Sequence, residues 1–246
     1  MRLLSFNGIE FTGMESAYRM SVDADINEMR VTGRNGAYDL LGDGFQVGNQ
    51  SYAAEFLVVN DCDDPQNKLI DQLRGAIQAT GDLISEFDTG RRRAKARLVS
   101  VKSEPNFNDI RAGINRVICE FRAAPFWYSD SLILIEPVAS NTMIAFNSGN
   151  AVSQAIKFTL TPAANAGSLT LTCGDVSLVY DAALTTSDTL VIDVEAGTVK
   201  KNGTNVYGNT TRPDTQMALF ELAVGENTIT ASTAVTGRVE YRSCWV

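Results

Sequence analysis

The sequence predicts a mainly β protein: an N-terminal β-domain carrying one α-helix, followed by an antiparallel β-sandwich. Three observations carry this. Asn-Gly pairs stand at Asn7-Gly8, Asn35-Gly36 and Asn202-Gly203, each flanked by strand-like residues. Both residue types tolerate the positive φ of a type I′ turn, whose twist matches two paired antiparallel strands. Short β-branched or alternating runs recur along the whole chain, and only one segment has helical spacing, which argues for sandwiches or barrels over alternating β and α.

Taken in order, Leu3, Ser5, Ile9 and Phe11 bracket the first Asn-Gly as a hairpin, and Phe56 to Val59 is the next strand. A helix is expected over 64–81. Asp64 can cap it, Pro65 suits the first helical position, Leu69, Leu73, Ala76 and Ile77 share a face, and Gly81 ends it. Strands follow at Ala96–Val101, Val117–Phe121, Leu132–Ile135, Ile156–Leu160, Leu169–Leu171 and Leu178–Tyr180. The third Asn-Gly joins Leu190–Ile192 and Val199 to Val206-Tyr207, and Ile229-Thr230 and Val239–Tyr241 read as separate strands. Glu136-Pro137 breaks the pattern where charge density drops. Residues 1–135 hold 15 of the 21 basic and 19 of the 29 acidic residues, and 136–246 hold the remaining 6 and 10. The expected domains are therefore 1–135 and 136–246.

Composition narrows the chemistry. A net charge of -8 argues against nucleic-acid binding by bulk electrostatics, and no run approaches a membrane span. Histidine is absent, which removes Ser/His/Asp and Cys/His triads and His-ligated zinc. Cys62, Cys119, Cys173 and Cys244 are widely separated without a CxxC pair and read as free, buried thiols. The sequons at Asn49, Asn202 and Asn209 read as chance.

The motifs that could bind or react fail on spacing. Gly42, Gly44 and Gly48 miss the nucleotide fingerprint, with no helix pattern after them. Asp23, Asp25 and Asn27 begin a calcium loop, but Glu28 stands where glycine is required and Arg34 where a carboxylate is. Asp193 and Glu195 share a strand face without an aromatic cleft to grip a sugar. Two strings remain as candidate interfaces. Arg91, Arg93, Lys95 and Arg97 would line one face of an extended strand, with Arg92, Ala94, Ala96 and Leu98 on the other; this is either a solvated face or a docking face for an acidic partner. Phe126, Trp127 and Tyr128 follow Pro125 and read as a ligand platform or an inter-domain or inter-subunit anchor.

The order of these features resembles the distal tail proteins of long, non-contractile-tailed bacteriophages. The resemblance spans most of the chain: Arg34-x-Gly36, the single helix, the basic strand after Gly90, and Val117 to Tyr128 ending in Pro125-Phe126-Trp127-Tyr128. It continues through Leu190–Asp193, Asn202-Gly203, Phe220–Leu222, Gly225–Asn227, Val239–Arg242 and Trp245. It implies a ring-forming N-terminal domain, a galectin-like C-terminal sandwich, and a non-enzymatic virion protein without cofactor, metal or catalytic residues. The implied ring is a hexamer at the distal end of the tail, assembled in the host cytoplasm. It joins the tail tube protein to a tail-tip or baseplate protein, with no sequence-specific nucleic acid and no membrane insertion. The alternative is a carbohydrate-binding sandwich acting in host adhesion.

Overall fold

The computed structural model describes residues 2–22, 49–59, 65–103, 114–211 and 217–246. The Asn35-Gly36 turn, the Gly42 and Asp23 patterns, the Asp64 cap and Cys62 lie outside them. The chain forms two compact units, Met1–Asp130 and Ser131–Trp245, so the division falls a few residues before the composition break.

The first unit is built on one antiparallel sheet. Its strands are β1 (Arg2–Phe6), β2 (Ile9–Glu10), β3 (Met14–Val22), β4 (Gln50–Val59), β5 (Thr80–Phe87), β6 (Gly90–Ser103) and β7 (Ile114–Ala123), in the order β2-β1-β5-β6-β7-β4-β3. The Asn7-Gly8 turn has φ of 49 and 80° and sets Phe6 opposite Ile9, as a type I′ hairpin requires. Strand alternation sends Phe6, Tyr52, Phe56, Leu83, Leu98 and Phe121 inward, all at most 1% exposed. Phe11 joins them, its ring 5.7 Å from both Phe56 and Phe121.

The helix α1 (Pro65–Gly75) buries Leu69, Ile70 and Leu73, and it is shorter than its sequence pattern. After Gly75 the chain turns through Gln78 at φ 69°, whose N–H donates to the Leu98 carbonyl at 2.9 Å and hands the chain to β5. Ile77 is consequently 40% exposed rather than on the core face. Gly81 lies inside β5, opposite Ala96, and does not end the helix. A Cβ there would stand 2.7 Å from the Asn7 side chain, so its glycine serves the neighbouring hairpin.

The second unit is built on β9 (Ile133–Ile135), β10 (Ser140–Asn147), β11 (Ile156–Pro162), β12 (Leu169–Cys173), β13 (Val176–Tyr180), β14 (Leu190–Asp193), β15 (Thr198–Lys201), β16 (Thr204–Asn205) and β17 (Gly225–Tyr241). The two strands expected at Ile229 and Val239 are one. The first half of β17 pairs with β10 and β12, and the second half with β9 and β11. Its two ends meet: Glu226 is opposite Phe146, and the Tyr241 hydroxyl accepts from the Phe146 N–H at 2.9 Å. The strand therefore folds over from one layer of strands to the other, and Pro137, whose carbonyl accepts from Gly237 N–H at 3.2 Å, sits at the corner of the β9–β10 ribbon that follows it. Between the layers, Phe158 meets Phe220 edge-on at 5.7 Å, surrounded by Leu160, Leu171, Leu178 and Ile192. The Asn202-Gly203 turn (φ 50 and 82°) joins β15 to β16, leaving Val206 outside a strand.

Asp188 pins this turn. Its carboxylate accepts from Thr185 N–H at 2.8 Å and from the Asn202 amide at 2.7 Å, with Lys201 Nζ at 3.1 Å. The Thr185 backbone bond first, then Asn202 and Lys201, hold its pKa well below the ordinary carboxylate range. A depressed folded pKa contributes stability at pH above the unfolded value of about 3.9, and this is lost as pH falls through that value toward the folded one. Asp188→Asn is therefore expected to lower stability at neutral pH and to flatten its decline in acid, read by urea titrations across the acid range.

Cys119, Cys173 and Cys244 are buried free thiols. Burial pushes the Cys119 thiol up to about 12, which leaves little thiolate to react. Iodoacetamide is expected to label all three only after denaturation, as counted by mass spectrometry of native and unfolded protein.

Candidate functional site

The basic string forms the first half of β6, and its alternation is as the sequence indicates: Ala94, Ala96 and Leu98 are buried, while Arg91, Lys95 and Arg97 are exposed. Arg92 faces inward from the half-buried side, its guanidinium 4.5 Å from the Phe87 ring centroid and 2.6 Å from Thr89 Oγ1. On the outward face, acids from the same subunit already hold two of the four cations. Arg93 bonds Asp130 at 2.6 Å and Asp82 at 3.3 Å, and Lys95 reaches the other Asp82 oxygen at 2.6 Å. Asp82 is placed by the β5–β6 register, directly opposite Lys95. Arg91 stands opposite Glu86.

Arg93 therefore has a folding role that the sequence pattern does not show. It ties β6 to β5 and to the segment after β8 (Trp127–Ser129), with its side chain 30% exposed. Arg93→Gln is expected to cost about 1–2 kcal/mol in urea unfolding, because partly exposed charge-assisted bonds are weaker than buried ones. Lys95→Gln, on a 64% exposed side chain, should cost less than half of that.

Arg97 differs from both. Its cross-strand neighbours are Thr80 on β5 and Arg122 on β7, and Arg122 has Ser51 on its other side. Further along the same face, Glu120 is held by Ser100 at 2.7 Å and Lys102 at 2.9 Å, and Glu55 by Arg116 at 2.9 Å. Hydrogen bonding to Ser100, then to Lys102, keeps the Glu120 carboxyl below its usual range.

The aromatic string divides as strand alternation demands. Trp127 is 2% exposed, which takes it off the accessible surface, while Phe126 and Tyr128 remain half-buried. Trp127 packs edge-on against Tyr52 and Phe87, and its indole N–H donates to the Tyr52 hydroxyl at 2.9 Å. That hydroxyl donates in turn to the buried Gln50, whose amide reaches the Pro125 carbonyl at 3.3 Å. Trp127 is thus a core anchor that locks its own loop. Within the string, only Phe126 and Tyr128 keep part of their surface exposed.

In the second unit, Asp193 and Glu195 line one shallow pocket of about 180 Å³ together with Lys157, Glu240 and Arg242. Lys157 is opposite both Asp193 and Glu240, so acids and bases interleave across the strands. Asp193 also accepts from Ala196 N–H at 2.9 Å and closes the turn after β14. This is a charge ladder, and a pair of acids facing an empty cleft is not what the strands build. Among the aromatics, Phe158, Tyr180, Phe220 and Tyr241 are core, while Phe146 is 56% exposed on β10.

Residues 148–245 match the model of the siphovirus-type tail component, C-terminal domain. The fold of the whole chain is similar to that of the Dit protein of phage SPP1, whose crystal structure is described as a paradigm of the hub adsorption apparatus in phages infecting Gram-positive bacteria. The two share 11% identity with a TM-score of 0.67, over 100% of this chain and 99% of that one. No curated protein matches the sequence. The resemblance to distal tail proteins thus holds in residues 148–245 by a family model, and along the full chain in fold.

Proposed function

We propose that this chain is a non-enzymatic hub protein of a phage tail tip, in which the first unit closes a ring and the second is a galectin-like sandwich that faces tip components. The match of residues 148–245 to a tail-component domain carries the reading. The Dit-like fold along the chain supports extending it to both units. In this reading the ring is a hexamer with the tail tube protein on one side and a tip or baseplate protein on the other, set at the distal end of the tail. A closed ring also satisfies edges such as β3, a nine-residue strand that among the described residues pairs only with β4.

Native mass spectrometry of the purified chain tests this. The expected result is one closed species, six times the 26.6 kDa subunit mass. A monomer at every concentration would remove the ring from the account. Carbohydrate binding remains as a second reading because Phe146, exposed and opposite Glu226, supplies an aromatic beside an acid. A glycan array probed with the whole chain decides it, and an array without hits leaves the hub alone.

A further inference from the structure

We infer that Asn7 is a site of spontaneous covalent modification in the folded protein, deamidation through a succinimide formed with Gly8, and that the fold shields the same Asn-Gly pair at Asn202. This goes beyond the proposed function and does not depend on it. The reaction needs only water and the pair itself. The Gly8 main-chain nitrogen attacks Asn7 Cγ, the new C–N bond closes a five-membered ring, and the Cγ–Nδ2 bond breaks so that ammonia leaves with the proton of the Gly8 N–H. Water then opens either ring carbonyl, giving aspartate, or isoaspartate with the main chain rerouted through the side chain. Glycine permits the attack because no Cβ crowds its nitrogen.

The two turns form a matched comparison. Their φ angles are nearly the same, 49 and 80° at Asn7-Gly8 against 50 and 82° at Asn202-Gly203. Both asparagines are exposed, so water reaches both. Each also donates its own N–H to a neighbouring carbonyl at 2.9 Å, Asn7 to Asp82 and Asn202 to Thr189. What differs is the side-chain amide. Asn202 Nδ2 donates to Asp188 Oδ1 at 2.7 Å, and Asn202 Oδ1 accepts from the Thr189 N–H at 2.8 Å. Its Cγ can swing onto the Gly203 nitrogen only after both bonds break, and the product would set a second carboxylate against Asp188. The Asn7 side chain has no hydrogen bond among the described residues. It rests on Gly81 through Cβ, Cγ and Oδ1, a van der Waals contact that is weak beside two hydrogen bonds.

The modification has a structural consequence. Isoaspartate at position 7 adds a backbone carbon to a two-residue turn that sets Phe6 opposite Ile9 and holds the Phe6 ring 5.2 Å from that of Phe121. The close approach to Gly81 leaves no slack for it. The β1–β2 hairpin, which ends the order of the first sheet, therefore loosens as the protein ages.

The test incubates the full chain in mild alkali, well below its melting temperature, beside a sample unfolded in urea, and maps the amide-to-acid mass gain peptide by peptide. In the folded chain Asn7 is expected to convert about tenfold or more faster than Asn202, the effect of two hydrogen bonds that must break first. In urea the two rates should converge, which places the difference in the fold. Asp188→Ala, checked for folding by circular dichroism, should raise the Asn202 rate toward that of Asn7. Asn7→Gly, which suits the positive φ, should lose the fast product. Equal rates at the two sites in the folded chain, or an intact Asn7 while the urea sample converts, overturn the inference whether or not Asp188→Ala folds. A folded Asp188→Ala chain whose Asn202 converts no faster overturns the shielding by Asp188.

Discussion

Asn147→Leu is expected to cost the second unit about 3–5 kcal/mol, the range of a broken buried polar network. Asn147 is fully buried at the end of β10. Its amide donates to the carbonyls of Ala151 at 2.8 Å and Leu222 at 3.1 Å, while its oxygen accepts from the N–H groups of Gly149 at 3.1 Å and Cys244 at 3.2 Å. One side chain thereby satisfies four main-chain groups from three separated segments. Leucine would fill the volume and break all four bonds in a place water cannot easily reach, leaving the Leu222 carbonyl only its bond from the Ser153 N–H at 2.9 Å. Asn147→Asp should be no better, because it meets two carbonyls with a carboxylate. Urea unfolding followed by near-UV circular dichroism reads the effect, and a loss below about 1 kcal/mol would mean that the loop re-forms its bonds elsewhere.

Gly237→Ala should be comparably severe, at about 4 kcal/mol or more. Gly237 has φ 130°, and a Cβ there would lie 2.2 Å from the Thr159 carbonyl oxygen on β11. Two faults combine, since the backbone conformation disfavours a side chain and the obstacle is main chain that cannot rotate away. Gly174 provides the control. It also has positive φ, at 56°, but nothing lies within 4 Å of its would-be Cβ, so Gly174→Ala should cost only about 1 kcal/mol. Equal losses at the two positions would show that the close approach at Thr159 relaxes freely.

These two residues mark where sequence reasoning stopped. The Asn7-Gly8 and Asn202-Gly203 hairpins were legible because their requirement is local, a pair of positive φ angles that two residue types satisfy. The face of α1 was legible from spacing, but its end was not, because Gly81 answers to Asn7 across the sheet and not to the helix. The long β17 was hidden by its corner, where Ser232-Thr233-Ala234 interrupts the apolar alternation and looks like a loop between two strands. Asn147, within the run Asn147-Ser148-Gly149-Asn150, has a loop composition, and only the fold brings Leu222 and Cys244 to it.

The candidate surface was partly legible for the same reasons. Alternation alone placed Arg91, Arg93, Lys95 and Arg97 on one face and the alanines on the other. It could not reveal that Asp82 and Asp130 neutralise the middle of that row, or that Arg122 from a strand 25 positions later stands beside Arg97. Trp127 had the composition of an interface anchor. The Tyr52–Gln50–Pro125 chain of hydrogen bonds is what turns it inward.

Immunogold electron microscopy of virions, with antibody raised against the purified chain, tests the central claim most directly. The account predicts gold at the free end of the tail, opposite the capsid, on most particles. Label confined to the capsid, or purified virions that lack the polypeptide by mass spectrometry, would contradict it.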